Sequence, residues 1–449
     1  MKKSIAISVI AVGLLSSVNV FGAEDLSTMF SEGKASGQVR EFSISRTMDY
    51  SDASKKDYTR SANAIGGYLK YETAAYSGLS LGTAFYTTNG FGLGGSKATN
   101  VEVDPTLLGK DNEGYSILGE AYVQYKLANT TFKGGRQKLD TPLAGSDDAR
   151  MLPNLFEAYL LINTDIKDTT LIAGHVTKFA QGTFGRAYGA GGILGATSGY
   201  SAVDAKNQVG DFVNMGDYAI GQSTDGVSVV SATYTGIKNL KVQAWDYYAH
   251  DILNAFYADA DYSWTCLLNE NVKPFAAAQV IKENDVGDKL VGNVEGMYWG
   301  AKLGAKVENF TAFVAYSQAS ENSSTSATTE NAIITPWGGM PAYTQGMVTR
   351  HQFLAGTKAT KASALYNWKT FGPDLSTELY YANYDMASYN GYTYGDAKES
   401  GFDVIYKPAP VKNLALRLRA NYAEDFAVAK TTLATTSWDE YRVIVNYNF

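Results

Sequence analysis

The chain ends on Tyr441-Arg442-Val443-Ile444-Val445-Asn446-Tyr447-Asn448-Phe449, a stretch whose odd positions are aromatic or β-branched. The opposite face is polar apart from Ile444, and it carries Glu440, Arg442, Asn446 and Asn448. A strand that closes a lipid-embedded barrel shows an apolar face to hydrocarbon and a polar face to the lumen. This ending therefore predicts a transmembrane β-barrel. A strand of a soluble β-sandwich would give the same alternation, but no reason to end on Phe449.

Residues 1–23 have the form of a secretory signal. Lys2 and Lys3 precede the apolar run Ile5 to Leu15, and small residues follow at Gly22 and Ala23. We therefore expect cleavage to leave residues 24–449 as a single domain. Losing Lys2 and Lys3 changes the formal net charge from -7 to -9, and this acidic balance argues against a nucleic-acid partner.

Apolar runs and composition limit how the chain can span a membrane. No later window has the roughly 18 consecutive apolar residues of a membrane helix, so any spanning segments must be strands. The mean hydropathy is only -0.18, as expected where polar lumen-facing residues offset apolar lipid-facing ones. The single cysteine, Cys266, excludes an internal disulfide. Stability must then come from closed strand pairing.

Period-2 segments of about 9 to 12 residues recur along the chain, and we count about eighteen. They are separated by tight turns such as Ala128-Asn129 and by long loops such as Thr47 to Asn63, Phe179 to Asp225 and Ser320 to Lys358. Short turns are typical of the periplasmic rim and long loops of the extracellular side. The sequence predicts an all-β, antiparallel transmembrane barrel of about 18 strands. A barrel of this size leaves an aqueous channel, which either long loop could narrow.

Residues for catalysis are scarce. Of the three histidines, His175, His250 and His351, only His250 has an adjacent acid, Asp251, and no serine can be paired with any of them from sequence. The glycine run Gly90 to Gly95 matches a dinucleotide-binding pattern but precedes no helix. We therefore predict no enzyme activity, no cofactor and no metal site.

Two segments carry a resemblance to a known family. Gly135 to Pro142 with Asp147 to Ala158 resembles the hallmark segment of the OprD-type outer-membrane porins, in particular their epsilonproteobacterial branch. Pro341 to Ala359, with Tyr366-Asn367-Trp368, is similar to a later block of the same family. The resemblance implies an eighteen-stranded barrel. Its members pass basic amino acids, small carboxylates or general solutes. Some act as monomers and related major porins are trimeric, so this chain is expected as a monomer or homotrimer.

Charged residues on the polar strand faces are the candidates for lining the pore, because a lipid-facing Arg or Lys near mid-depth costs about 2–4 kcal/mol. These strand candidates are Glu120, Lys302, Lys306, Arg417, Arg419 and Arg442. The resemblance implies that the basic ones form a ladder facing an acidic constriction. Asp147, Asp148 and Arg150 lie in the family-like loop and are the constriction candidates. The alternative is that Asp148 and Arg150 merely hold the loop in place.

The function expected from these features is passive diffusion of small hydrophilic solutes and ions through an outer-membrane channel, with charged side chains setting a preference for molecules such as amino acids or carboxylates. Expected partners are outer-membrane lipid, lipopolysaccharide and the barrel-assembly machinery, which would bind the strand ending at Phe449. The alternatives are a surface adhesin or a barrel-borne hydrolase. A hydrolase would need a serine, a histidine and an acid on one strand face.

Overall fold

Antiparallel strand pairing runs around the whole molecule and closes on itself, because the last strand pairs with the first. The structure, a computed structural model, describes residues 22–91, 103–188, 191–203, 209–323 and 329–449. Most of the expected signal segment and most of the glycine run Gly90 to Gly95 lie outside these residues.

The described residues contain nineteen strands. They are β1 Lys34–Tyr50, β2 Tyr58–Glu72, β3 Leu79–Gly90, β4 Tyr115–Leu127, β5 Thr130–Gln137, β6 Leu155–Asn163, β7 Thr169–Ala180, β8 Val213–Asn214, β9 Val227–Tyr234, β10 Leu240–Ala249, β11 Leu253–Ser263, β12 Val272–Asp285, β13 Met297–Val307, β14 Phe310–Ala319, β15 Lys358–Asn367, β16 Asp374–Asp385, β17 Ala397–Lys407, β18 Leu414–Val428 and β19 Thr435–Asn448.

Helices are few and short in the described residues. The α-helices are α1 Leu26–Ser31, α2 Gly192–Thr197 and α3 Met215–Ile220, and the 3-10 segments are Pro105–Leu107, Lys110–Asn112, Thr183–Ala187, His351–Phe353 and Trp368–Phe371. No helix in the described part of the chain is long and apolar enough to cross a membrane.

Eighteen of the strands form the barrel wall. The exception is β8, a two-residue strand in the β7–β9 connection that pairs with Lys178 and Phe179. Each barrel strand pairs with the next, and β1 pairs with β19 from Gln38↔Asn448 to Tyr50↔Thr436. The structure is thus a closed 18-strand antiparallel β-barrel, and the predicted fold class and strand number are confirmed.

The alternation read from the last strand appears in the exposure of its side chains. Tyr441 and Val443 are 48% and 49% exposed, whereas Arg442 between them is 1% exposed. Ile444 points inward with Arg442 and packs in a buried cluster with Phe42 and Leu152. Its interruption of the polar face therefore reflects a loop packed against the inner wall.

The two ends of the barrel differ in connector length. At one end β4 and β5 are joined by Ala128 and Asn129, with a positive φ of 50° at Ala128. At the other end the strands extend further than predicted. β1 reaches Tyr50 and β2 starts at Tyr58, so the first long loop is shorter than the predicted Thr47 to Asn63. Strand pairing continues here beyond the alternation that sequence can show.

The described residues of three long loops pack in the interior. They are residues 138–154 of the β5–β6 loop, residues 181–188, 191–203 and 209–226 of the β7–β9 loop, and residues 320–323 and 329–357 of the β14–β15 loop. They meet in one buried hydrophobic cluster that includes Leu143, Met215, Tyr218, Trp337 and Phe353. The Trp337 indole N–H donates to the Met215 carbonyl at 3.2 Å, which joins two of the loops. Loop packing therefore narrows the lumen at the long-loop end and brings loop side chains against the wall.

Candidate channel site

Asp147 is where all three inward loops meet. Its carboxylate accepts two hydrogen bonds from the Arg350 guanidinium, at 2.8 Å and 3.2 Å, and a third from the Tyr200 hydroxyl at 2.6 Å. Burial opposes the charge on Arg350, but the Asp147 carboxylate, Tyr188 and Tyr200 together outweigh it and hold the pKa of Arg350 above its usual value. A two-pronged guanidinium–carboxylate pair fixes both distance and orientation. The contact therefore acts as a clasp between the loops.

Arg150 lies in the same loop, but it is fully buried. Its Nη2 is 2.6 Å from Glu440 Oε1, and neither side chain is exposed to solvent. Arg442 also donates to Glu440 and reaches Asn421 Oδ1 at 2.8 Å. Burial lowers the pKa of Arg150 to about 10, with Glu440 opposing that shift. This network ties the β5–β6 loop to strand β19, and it places Arg150 and Arg442 behind the water-facing surface.

Asp148 presents a different environment from that of Asp147. Its side chain is 36% exposed and pairs with Arg40, with contacts of 2.6 Å and 3.2 Å. Arg40 also donates to the carbonyl of Arg150 at 2.5 Å. Asp148 is thus held by the wall while keeping part of its carboxylate open to the lumen.

A second anchor holds the β14–β15 loop. The buried Glu399 carboxylate accepts backbone N–H groups from Met347 at 2.5 Å, Val348 at 3.1 Å and Thr349 at 2.6 Å. The Tyr380 hydroxyl donates to the same group. Charge-assisted bonds of this kind are about twice as strong as neutral ones. The anchor fixes the backbone directly before Arg350.

The basic side chains of β18 share a single acid. Asp403 Oδ1 accepts from Arg417 Nε at 2.8 Å, and Asp403 Oδ2 lies 3.2 Å from Arg419 Nε. The Arg417 side chain is 34% exposed and that of Arg419 is 18% exposed. Lys361 extends this surface and donates to the Gln345 carbonyl at 2.7 Å. This part of the wall presents cations to the lumen.

Lys302 and Lys306 line a separate cavity of about 530 Å³ between strands β10–β14 and the β14–β15 loop. Lys302 Nζ lies 4.4 Å from the centre of the Tyr343 ring. Asp259 also lines this cavity, and one of its carboxylate oxygens accepts from Gln243 Nε2 at 3.0 Å. Its other oxygen and the Tyr343 hydroxyl have no hydrogen-bond partner among the described residues. The cavity offers cationic, acidic and aromatic groups together.

Glu120 lies on another part of the wall. It accepts from the Tyr86 hydroxyl at 2.8 Å and from Lys70 Nζ at 3.2 Å. A small cavity of about 120 Å³ at this point is also lined by Arg40 and Asp148. Glu120 is therefore a compensated acid beside the Asp148 side of the lumen.

The nine predicted residues do not converge on a single point. Asp147, Asp148 and Arg150 take three different partners, Arg417 and Arg419 share one, and the lysines lie elsewhere. Sequence reasoning missed Arg40, Glu399 and Arg350. Of these, Arg40 lies opposite Val39 and Glu41 in a readable alternation, whereas Glu399 gave no signal of its anchoring role.

The structure also pairs a serine with two of the histidines. Ser228 Oγ lies 3.1 Å from His175 Nδ1 and 3.1 Å from His250 Nε2. All three side chains lie on the outer barrel wall, away from the loops in the lumen. The acid of a hydrolase set is not among these contacts.

A closed eighteen-strand barrel, with apolar side chains outside and charged loops and walls inside, defines the outer-membrane porins. The family model described as outer membrane porin, OprD family, matches residues 29–449. The chain belongs to the OprD family. It is an integral outer-membrane porin that contacts lipid and passes small solutes.

Solved porin structures are similar in fold. OccK9 (OpdG) of Pseudomonas aeruginosa has a TM-score of 0.74 at 19% identity, covering 94% of this chain and 99% of that one. OccAB3 of Acinetobacter baumannii has a TM-score of 0.73 at 18% identity, covering 94% and 100%. Pseudomonas aeruginosa OpdK, solved with vanillate, has 0.70 at 14% identity, covering 93% and 98%. No curated protein matches the chain.

Proposed function

We propose that this porin favours small solutes that carry a carboxylate, such as organic acids or amino acids. This proposal is supported mainly by the cationic surface that Lys361, Arg417 and Arg419 form on the inner wall. Asp403 lies among these cations, and Glu378 accepts from Ser363 beside them at 2.7 Å. A third acid near Lys361, Glu399, is buried and accepts N–H groups of the loop backbone, so the cations face two acids that are not bonded to the loop. A similar barrel, OpdK, has been solved with vanillate, itself a carboxylate.

The experiment is planar-bilayer recording of the refolded protein under a potassium chloride gradient. We expect stepwise ohmic conductance and a reversal potential whose sign shows a preference for anions over cations. Replacing Arg417 and Arg419 together with glutamine should move the reversal potential toward cations. A folded barrel that gives no conductance steps would refute the channel, and an unmoved potential would refute the role of this surface.

The nine candidate residues take two roles in this proposal. Asp148, Arg417, Arg419, Lys302 and Lys306 contact permeating solutes. The others, Asp147, Arg150, Arg442 and Glu120, set the shape of the lumen through their buried pairs. No covalent step is involved, so the protein acts without enzyme activity.

Several finer expectations complete the proposal. Residues 1–23 are cleaved, and residues 24–449 form one barrel domain of the epsilonproteobacterial branch, as a monomer or homotrimer. The assembly machinery recognises the last strand, where the Phe449 N–H donates to Gly37 at 3.0 Å and the ring stays 53% exposed. Mass spectrometry of the mature N-terminus tests the cleavage after residue 23, and cross-linking tests whether the barrel is a monomer or a homotrimer.

A further inference from the structure

Two of the three histidines in the chain converge on one hydroxyl group. His175 lies on β7, and His250 directly follows β10, yet both rings contact Ser228 Oγ on β9 at 3.1 Å. The ring centres are 6.0 Å apart. The Ser228 hydroxyl has one proton, so it donates to one ring nitrogen and accepts the N–H of the other. Both rings are thereby oriented toward the same point.

The cluster faces outward near the long-loop end of the barrel. His175 and Ser228 are paired in register, and their neighbours Val176, Val227 and Val229 are buried inside. On the outer face, Val230 is 54% exposed. Because strand side chains alternate, the two imidazoles lie on the outside of the barrel and apart from the channel site.

The environment suits metal ligation better than proton transfer to a substrate. Imidazole is the commonest metal ligand in proteins, and it binds metals in its neutral form. Two ligand atoms that bind one metal ion at about 2.0–2.1 Å stand about 3 Å apart from each other, and the 3.1 Å contacts of both ring nitrogens with Ser228 Oγ match that spacing. Because His250 directly follows the last residue of β10, the cluster lies at the rim of the barrel, where water of the headgroup layer reaches the outer face.

We propose that His175 Nδ1 and His250 Nε2 form an external binding site for a divalent transition metal, with the Ser228 hydroxyl and water completing the coordination. Among the described residues no group of three or more His, Cys, Asp and Glu side chains is placed to hold a metal, so this site has two strong protein ligands. Two imidazoles with exchangeable oxygen ligands follow the usual affinity order, and Cu²⁺ binds more tightly than Ni²⁺ or Zn²⁺.

The third histidine supplies an internal contrast. His351 is fully buried, and its Nε2 donates to the Phe426 carbonyl at 2.7 Å. Its ring lies among aromatic groups, including Tyr384 and Tyr392. Copper that reaches the outer wall therefore meets only the His175–His250 pair.

The test is calorimetric titration of the mature, tag-free protein in detergent with copper chloride and then zinc chloride. One Cu²⁺ per barrel is expected, with tighter binding than Zn²⁺. His175→Gln and His250→Gln should each weaken copper binding at least tenfold. Tyr248→Phe is the matched control, because the Tyr248 ring contacts His250 edge-to-face with ring centres 4.9 Å apart, and the variant keeps both imidazoles.

A second readout on the wild-type protein covers the case in which a variant fails to fold. The copper electron paramagnetic resonance spectrum should show hyperfine splitting from two nitrogens, and channel conductance should not change because the site is outside the lumen. Copper binding that persists unchanged in the folded His175→Gln/His250→Gln variant would overturn the proposal. So would a spectrum with no nitrogen splitting, or zinc binding tighter than copper.

Discussion

Asp147→Asn is the change that most directly tests whether the three inward loops are clasped. It removes the charge from a carboxylate that Arg350 grips at 2.8 Å and 3.2 Å, within a pair whose side chains are only 12% and 4% exposed. Arg350 would remain buried beside Tyr188 and Phe184 without its counter-charge. Breaking a buried pair from one side costs about 3–5 kcal/mol.

The lost free energy should first weaken the docking of the loops inside the barrel, because strand pairing holds the barrel wall independently of the loops. Three to five kcal/mol shifts the docked-to-undocked ratio by about two to three and a half orders of magnitude. We therefore expect Asp147→Asn channels to show larger and noisier single-channel conductance. The folded barrel itself should persist, with unchanged heat-modifiable migration in gels.

Asp148→Asn is the matched control, one residue along. Asp148 is 36% exposed, and Arg40 keeps its bonds to the Arg150 carbonyl at 2.5 Å and to Asn446 at 2.9 Å. Its conductance should stay close to wild type while the reversal potential moves toward anions. Wild-type conductance and noise in the Asp147 variant, recorded in the same bilayers, would refute the clasp.

Three further predictions concern the wall and the β14–β15 loop. Arg442→Gln should lower the urea midpoint of unfolding, because the buried Glu440 then pairs with one guanidinium fewer. Arg417→Gln should instead change ion selectivity with little loss of stability, because the Arg417 side chain is 34% exposed. Burial lowers the pKa of His351 from 6.5 to about 4. As the pH falls, the unfolded chain therefore binds this proton before the folded one, and the free energy of unfolding should decrease by about 3 kcal/mol between pH 6.5 and pH 4. His351→Gln should flatten that part of the profile of stability against pH. Glu399→Gln should enlarge the conductance as Asp147→Asn does, since each lost charged bond to the loop backbone is worth about 1.5–3 kcal/mol; unchanged bilayer currents would contradict it.

The strand content of the barrel could be predicted because alternation is a local property. The alternation of Tyr441, Arg442 and Val443 predicts that Arg442 faces the lumen, and the structure confirms this orientation. The clasp could not be found this way, since Asp147 and Arg350 are 203 residues apart and meet only after both loops fold inward. Arg350 lies in the second family-like segment, but the sequence around it does not indicate which acid it pairs with.

Ser228 illustrates the same limit on the outer wall. It is 53 residues from His175 and 22 from His250, and only the strand order places all three together. The sequence offered His250 next to Asp251, a neighbour that plays no part in the cluster. Proximity along the chain is thus a poor guide where contacts depend on register between strands.

Exposure divides the charges of the lumen into two sets with different consequences. Arg150 and Glu440 are unexposed and tie a loop to the wall. Asp148 and Arg417 are about one-third exposed and meet water while keeping a partner. Changes in the first set move loops and therefore alter the size of the passage. Changes in the second set alter the field in a passage of constant size. Pore size and ion preference should then vary independently among variants, and a single variant in one set that changes both would mean that the loops and the wall charges form one coupled unit.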